Sequence, residues 1–262
     1  MPNELYFPGL EGVIAGETAI SNITGELRYR GYAVNDLAAH STFEEVAYLL
    51  LYGDLPTEEA LADFETILGE SADVDVSILE FLSDIPLHVG SMDVLRSGIS
   101  ALSHFDPQLH DESLAASQAK ATRLLAQIPI LIAARHRMRQ GLTLLDVRPE
   151  LSFAGNLLWL ITGREPTPSH ERAMDVSLIL YAEHEFNAST FTARVVISTQ
   201  SDLFSAVVAA VGSLKGSLHG GANERVLEVL NEVGSSANAE HWVRDALANN
   251  TPISIAARST ST

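Results

Sequence analysis

Residues 111–141 read "DESLAASQAKATRLLAQIPILIAARHRMRQG". This is the longest periodic segment of the chain, and its spacing predicts a long helix with a kink, or a break into two helices, at the interior Pro129. The same reading extends outward. "STFEEVAYLLLYGDLP" (41–56) opens with Ser41, has Glu44 three residues on as a capping box, and stops at Gly53 and Pro56. "TEEALADFETIL" (57–68), "VSILEFLSDIP" (76–86), "SMDVLRSGISALSHF" (91–105) and "ELSFAGNLLWLITG" (150–163) follow as helices, the last ending at Gly163. "SHERAMDVSLILYAEHEF" begins after Pro168, and "SDLFSAVVAAVGSLKG", "ANERVLEVLNEVG" and "NAEHWVRDALANN" complete the set. Only the start differs: "GVIAGETAISNITGELRYRGYAV" is rich in Gly and β-branched residues, turns at Asn22–Gly25, and reads as a hairpin or short strands. The sum is roughly eleven helices stacked on one another, a mainly α fold with no sheet after the N-terminal hairpin. No fixed-period repeat and no Pro- or Ser-rich linker interrupts it. The last twelve residues, "TPISIAARSTST", lose the helical periodicity and read as an appended tail.

Composition narrows the function classes. With 262 residues and 46% hydrophobic content the chain can bury a sizeable core. It has no cysteine, which excludes disulfides, thiol chemistry and thiolate metal sites and gives no sign of an oxidising compartment. "MPNELYFPGLEG" has neither a basic n-region nor an apolar h-region. Purely apolar runs fall well short of the ~20 residues of a membrane span, so the expectation is a soluble, cytoplasmic protein. A net charge of −18, with two lysines and fourteen arginines, argues against binding a nucleic-acid backbone. Arg135, His136, Arg137 and Arg139 form the nearest thing to a basic cluster; cations favoured by a helix C-terminus are the simpler reading, an anion site the other.

Two stretches can carry chemistry. In "LILYAEHEFNAST" (178–190) an apolar run ends in Glu183, His184, Glu185 and Asn187, which must surface, be paired, or line a site. Ala188 stands where H-E-x-x-H needs its second histidine, so a zinc protease is excluded. Asn187 or Ser189 capping the next helix, with His184 solvated or satisfied, accounts for the stretch equally. In "KGSLHGGANERVLEVL" (215–230) His219 lies among Gly216, Gly220 and Gly221. The glycines permit positive φ and close approach of a ligand to the backbone, and Asn223 and Glu224 start a helix. A neutral imidazole at that positive dipole end can donate an N–H to an oxygen that becomes negative. A histidine that merely caps is the alternative. "GSLKGS" lacks the spacing of a phosphate-cradling loop.

"HEFNASTFTARVVISTQSDLFSAVVAAVGSLKGSLHGGANERVLEVL" (184–230) resembles the citrate synthase family, in its shorter prokaryotic form that includes 2-methylcitrate synthases. "GLEGVIAGETAIS", "ELRYRGYAVNDLA", "TFEEVAYLLLYGDLPT", "SMDVLRSGISAL", "AQIPILIAARHRMRQG" and "NLLWLITGREP" fall in the family's order and spacing, so the resemblance covers residues 8 to about 249. It implies an almost wholly helical fold: a large domain over 1–219 with the N-terminal hairpin at about 8–32, the start of a small domain over 220–249, and an aberrant Ser/Thr-rich tail over 250–262. It also implies condensation of acetyl-CoA or propionyl-CoA with oxaloacetate to citrate or 2-methylcitrate and CoA. The CoA thioester is a substrate, no metal or prosthetic group is bound, and the assembly is a homodimer or is completed by a separate C-terminal part. By resemblance His219 stabilises the enol of the thioester, and His184 binds the oxo acid beside Gly220, Gly221 and Asn223. Tyr181 and Glu183 depart from the family's "HADHEFNAS", and Ser91 from its "HPMDVLR". After "WVRDALANN" the family continues with a "GFGHRVY"-type loop carrying a second catalytic histidine, and later with the catalytic aspartate. Neither is found in these 262 residues, which implies an inactive chain by itself, a non-catalytic dimerising helical remnant, or a weak oxo-acid or CoA binding module.

Overall fold

The computed structural model describes residues 16–217, 219, 220, 229 and 231–249. Its first element is a three-stranded antiparallel meander: β1 (Ser21–Asn22), β2 (Arg28–Tyr29) and β3 (Tyr32–Ala33). Ser21 pairs with Tyr29 and Tyr29 with Tyr32. The β2–β3 turn is two residues long, with Arg30 at φ 49° and Gly31 at φ 95°, the positive pair that matches the twist of a tight hairpin. Between β1 and β2, Asn22 Oδ1 accepts from the Thr24 amide and Gly25 takes φ 89°. Tyr29 is fully buried, and its hydroxyl donates to the carbonyl of Ile179, 3.0 Å away, so this small sheet is pinned to the helical body.

Eleven α-helices follow among the described residues: α1 (Val34–His40), α2 (Phe43–Tyr52), α3 (Glu58–Ser71), α4 (Val76–Asp84), α5 (Ser91–Leu102), α6 (Leu114–Arg139), α7 (Phe153–Thr162), α8 (Pro168–Tyr181), α9 (Ala188–Ile197), α10 (Leu203–Leu214) and α11 (Ala239–Ala248). Side-chain caps start most of them: Thr57, Asp75, Ser113, Ser152, Thr167, Asn187 and Asp202 each accept from a backbone N–H of the first turn. Gly53 and Gly163 stop α2 and α7 in the left-handed conformation, as their positions in the sequence predict.

Several details differ from the expectations. The capping box of α2 is Thr42 with Glu45, shifted by one from Ser41 and Glu44. The shift has a tertiary cause: Glu44 is turned inward and accepts from the Phe153 amide at 2.7 Å, which leaves Glu45 to face the N-cap. Burial raises the pKa of Glu44, opposed in part by that N–H. Helix α8 begins at Pro168 itself, in the first position where its missing N–H costs nothing, and it ends at Tyr181. Helix α6 runs unbroken through Pro129. Its turns on both sides are packed into the core: Leu124 before the proline and Leu131 after it share one cluster with Val94, Ile99 and Phe204, and Ala126 joins another with Val46, Leu49 and Phe64. Packing on both sides offsets the lost hydrogen bond. The C-terminal cations of α6 serve the backbone of other segments. Arg135, 2% exposed, donates to the carbonyls of Ile85, Pro86 and Val89. Arg137 donates to Thr143 and Ile161. No helix among the described residues is long and apolar enough to cross a membrane.

Candidate active site

The apolar run of α8 ends at Tyr181, so Glu183–Phe186 lie in a loop and His184 is carried at the surface. The loop is tied down on both sides of His184. Glu183 Oε1 accepts from the Ser21 hydroxyl at 2.6 Å and from the Glu185 amide at 2.6 Å, and Glu185 Oε1 accepts from the Ile23 amide at 3.2 Å. Asn187 then caps α9, its Oδ1 accepting from the amides of Ser189 and Thr190 at 3.0 Å each. This bears out the capping reading for Asn187 and releases Ser189 from that duty.

The Ser189 side chain points instead to α10 and beyond it. Its hydroxyl lies 3.1 Å from the Ala210 carbonyl and 2.8 Å from His219 Nε2. His219, partly buried, sits in a turn that reverses the chain after α10. Lys215, the last residue before the turn, pairs with Asp93 at the start of α5, 2.7 and 2.8 Å from its two oxygens. The Gly216 amide donates to Ser213, the His219 amide to Gly216, and the Gly220 amide to Leu214, at 2.9–3.0 Å. Gly220 does not use the positive φ open to it. A Cβ there would stand 2.3 Å from the Leu214 carbonyl oxygen, so glycine is required by close approach of the chain to itself. Gly221 and Asn223, most of the helix expected after them and the 250–262 tail lie outside the described residues; of that helix, residues 229 and 231–233 are described and are helical.

The first turn of α9 is therefore where the two histidine-bearing stretches converge. Ser189 holds His219, and five residues upstream stands His184. A serine has one hydroxyl proton, and this one has two partners. If it goes to Ala210, the ring must donate Nε2–H to the serine. If it goes to His219 Nε2, the neutral ring carries its proton on Nδ1 and can offer it elsewhere. Sequence reasoning found both histidines but not Ser189 as a ring partner, nor Ser21 and Glu183 as supports. Only the proximity of Ser189 to Asn187 hinted at it.

A cavity of about 1080 Å³ opens elsewhere, between α2, α3, α6, α7 and α8. Neither histidine lines it, and its walls carry both signs of charge, with Glu44, Glu65, Glu70, Glu150, Glu171 and Asp175 outnumbering Arg148 and Arg172. Among the described residues no group of three or more His, Asp or Glu side chains is placed to hold a metal ion.

Fold and site together define a mainly α protein whose candidate chemistry is presented by loops at helix ends. A sequence model described as "Citrate synthase, C-terminal domain" matches residues 9–254, and the chain belongs to the citrate synthase family. It is 47% identical to 2-methylcitrate synthase of Mycobacterium tuberculosis over 92% of this chain and 61% of that protein. It is also 47% identical to citrate synthase of Mycolicibacterium smegmatis, over 91% and 64%. The fold matches the crystal structure of citrate synthase from Pyrobaculum aerophilum with a TM-score of 0.85 at 38% identity, covering 92% of this chain and 63% of that one. It also matches Thermoplasma acidophilum citrate synthase, in a structure described as its ternary complex with carboxymethyl coenzyme A and oxaloacetate, with a TM-score of 0.84 at 29% identity, over 94% and 65%. The chain thus spans 61% and 64% of the length of the two curated relatives.

Proposed function

We propose that these residues supply the thioester and oxo-acid half of a citrate synthase-type site, which condenses acetyl-CoA or propionyl-CoA with oxaloacetate to citrate or 2-methylcitrate. The observation that carries this reading is the Ser189–His219 contact of 2.8 Å at the start of α9, next to the loop of His184. The hydrogen next to a thioester carbonyl is weakly acidic, and its removal moves negative charge onto the carbonyl oxygen. A donor aimed at that oxygen lowers the barrier as the charge develops. With the Ser189 proton turned to Nε2, His219 offers Nδ1–H to the enol oxygen. His184 holds the oxo acid, and Gly220, Gly221 and Asn223 complete the binding surface. The enol carbon then bonds to the oxo carbon, the oxo oxygen takes up a proton, and water cleaves the thioester to release CoA.

The same proposal places the α-proton base and the group that polarises the oxo acid outside these 262 residues. It assigns 1–219 to a large domain and 220–249 to the start of a small one. It makes the working unit a cytoplasmic homodimer that binds no prosthetic group. Half-exposed apolar side chains on α9, Val195 and Ile197, are consistent with a partner surface there.

Calorimetry on the 262-residue polypeptide is expected to detect oxaloacetate, and then acetyl-CoA, binding without CoA release. His219→Ala should abolish the acetyl-CoA signal, and Ser189→Ala should weaken it about tenfold, the loss of one hydrogen bond. Equal acetyl-CoA binding by parent and His219→Ala would refute the role of His219. Clear CoA release by the polypeptide alone would refute the placement of the base.

A further inference from the structure

The loop that carries His184 is held by contacts that span most of the chain. Ser21, in β1, is 7% exposed and donates its hydroxyl proton to Glu183 Oε1 at 2.6 Å across a separation of 162 residues. The same carboxylate oxygen accepts the Glu185 amide at 2.6 Å, and that amide also lies 3.2 Å from Ser21 Oγ. The Glu185 side chain returns to the amide of Ile23, the residue after β1. His184 is thus the one residue between two that are both fastened to β1. Glu185 has φ 52°, a left-handed conformation that a glutamate adopts only when its surroundings over-determine it. Directly opposite Ser21 in the sheet, Tyr29 anchors it to the last turn of α8 through the Ile179 carbonyl.

We propose that Ser21 and Glu183 are positioning residues for His184: the N-terminal sheet sets the direction in which that ring faces the oxo acid. This rests on the reading of His184 as the oxo-acid ligand. Three of the ordering hydrogen bonds have partners more than 160 residues away and only the Glu185 amide to Glu183 is local, so helix formation in α8 and α9 does not itself produce the loop conformation. The carboxylate acts on one oxygen for both donors, Ser21 and the Glu185 amide, and an amide oxygen at the same place would serve them too. Glu183→Gln is therefore the conservative variant and Glu183→Ala the disruptive one.

The test uses the 262-residue chain as parent, with Ser21→Ala, Glu183→Ala, Glu183→Gln and His184→Ala. Three quantities are read: hydrogen exchange at the Glu185 amide, the nuclear magnetic resonance shift of the His184 ring, and the dissociation constant for oxaloacetate. Glu183→Ala is expected to speed Glu185 exchange by about tenfold or more, the loss of its hydrogen-bonded protection. It should also move the His184 ring signal and weaken oxaloacetate binding on the order of tenfold. Ser21→Ala should do the same to a smaller degree, and Glu183→Gln should restore parent values within about threefold. Unchanged exchange and an unchanged His184 signal in Glu183→Ala overturn the proposal, as does a Gln variant that behaves like Ala. A separate failure is visible in His184→Ala: if it binds oxaloacetate as the parent does, the reading of His184 falls, while the exchange and ring signals still decide whether β1 positions the loop.

Discussion

Gly220→Ala puts the geometry of the His219 turn under direct test. The added methyl would stand 2.3 Å from the Leu214 carbonyl oxygen and 2.9 Å from Leu214 Cδ1. The second contact can be relieved by a rotamer change; the first cannot, because its partner is backbone and is already the acceptor of the Gly220 amide. The turn must open. Overpacking of this kind costs about 1–3 kcal/mol. The Leu214–Gly220 hydrogen bond, lost or stretched, adds about 1 kcal/mol. For a chain of this size each kcal/mol moves the melting temperature by roughly 2–4 °C, so a fall of about 4–16 °C is expected. Gly212→Ala is the control: it lies within α10, the helix that leads into the turn, with nothing within 4 Å of the added carbon. There the change should stabilise by up to about 1 kcal/mol, from helix propensity. Thermal and urea unfolding of both variants, with the His219 ring signal followed alongside, gives the comparison. If Gly220→Ala melts with the parent and leaves the ring signal in place, the close-approach argument is wrong. A stabilised Gly220→Ala would show that the turn is open to begin with.

Two further outcomes follow from buried charge. Arg135→Met should destabilise by roughly 3 kcal/mol, because three carbonyls in the segment after α4 lose a charged donor at once; a change under about 1 kcal/mol in urea unfolding would show that water replaces it. Glu44 makes stability depend on pH with a definite sign. Its carboxyl is protonated in both states at low pH, and on raising the pH the unfolded chain ionises first, since burial holds the folded group above its ordinary value. Stability contributed at this site is thus lost as pH rises from the ordinary carboxyl value through the folded one, and the loss is then constant. Glu44→Gln removes the dependence, so its stability relative to the parent should grow over that window and level off above it. A difference that does not vary with pH from 4 to 7.5 would contradict this (measured by urea unfolding, in which ΔG falls linearly with denaturant).

The mainly α fold and the stops at Gly53 and Gly163 follow from interactions within a few residues: apolar spacing, a capping side chain, a glycine that takes φ > 0. They are legible in sequence for that reason. So were His184 and His219 as candidates, since polar groups at the end of an apolar run and a histidine among glycines are local oddities. Where local rules competed with burial, burial prevailed. Ser41 and Glu44 satisfy the capping-box pattern as well as Thr42 and Glu45 do, yet Glu44 is 5% exposed and bound to Phe153. Pro129 is a helix breaker by its own chemistry, and α6 continues because the core grips it on both sides.

The sequence by itself determined most of the helical segments, though not the short α1 (Val34–His40), together with the short strands at the start and the two histidines worth attention. Tertiary structure alone decided what His219 touches and what holds the loop of His184. Ser189 meets His219 across 30 residues and Ser21 meets Glu183 across 162, and no periodicity records either pair. The physical reason is range: helix caps and turns are closed by neighbours in the chain, whereas side-chain direction at a site is set by hydrogen bonds to whatever the packed core brings alongside.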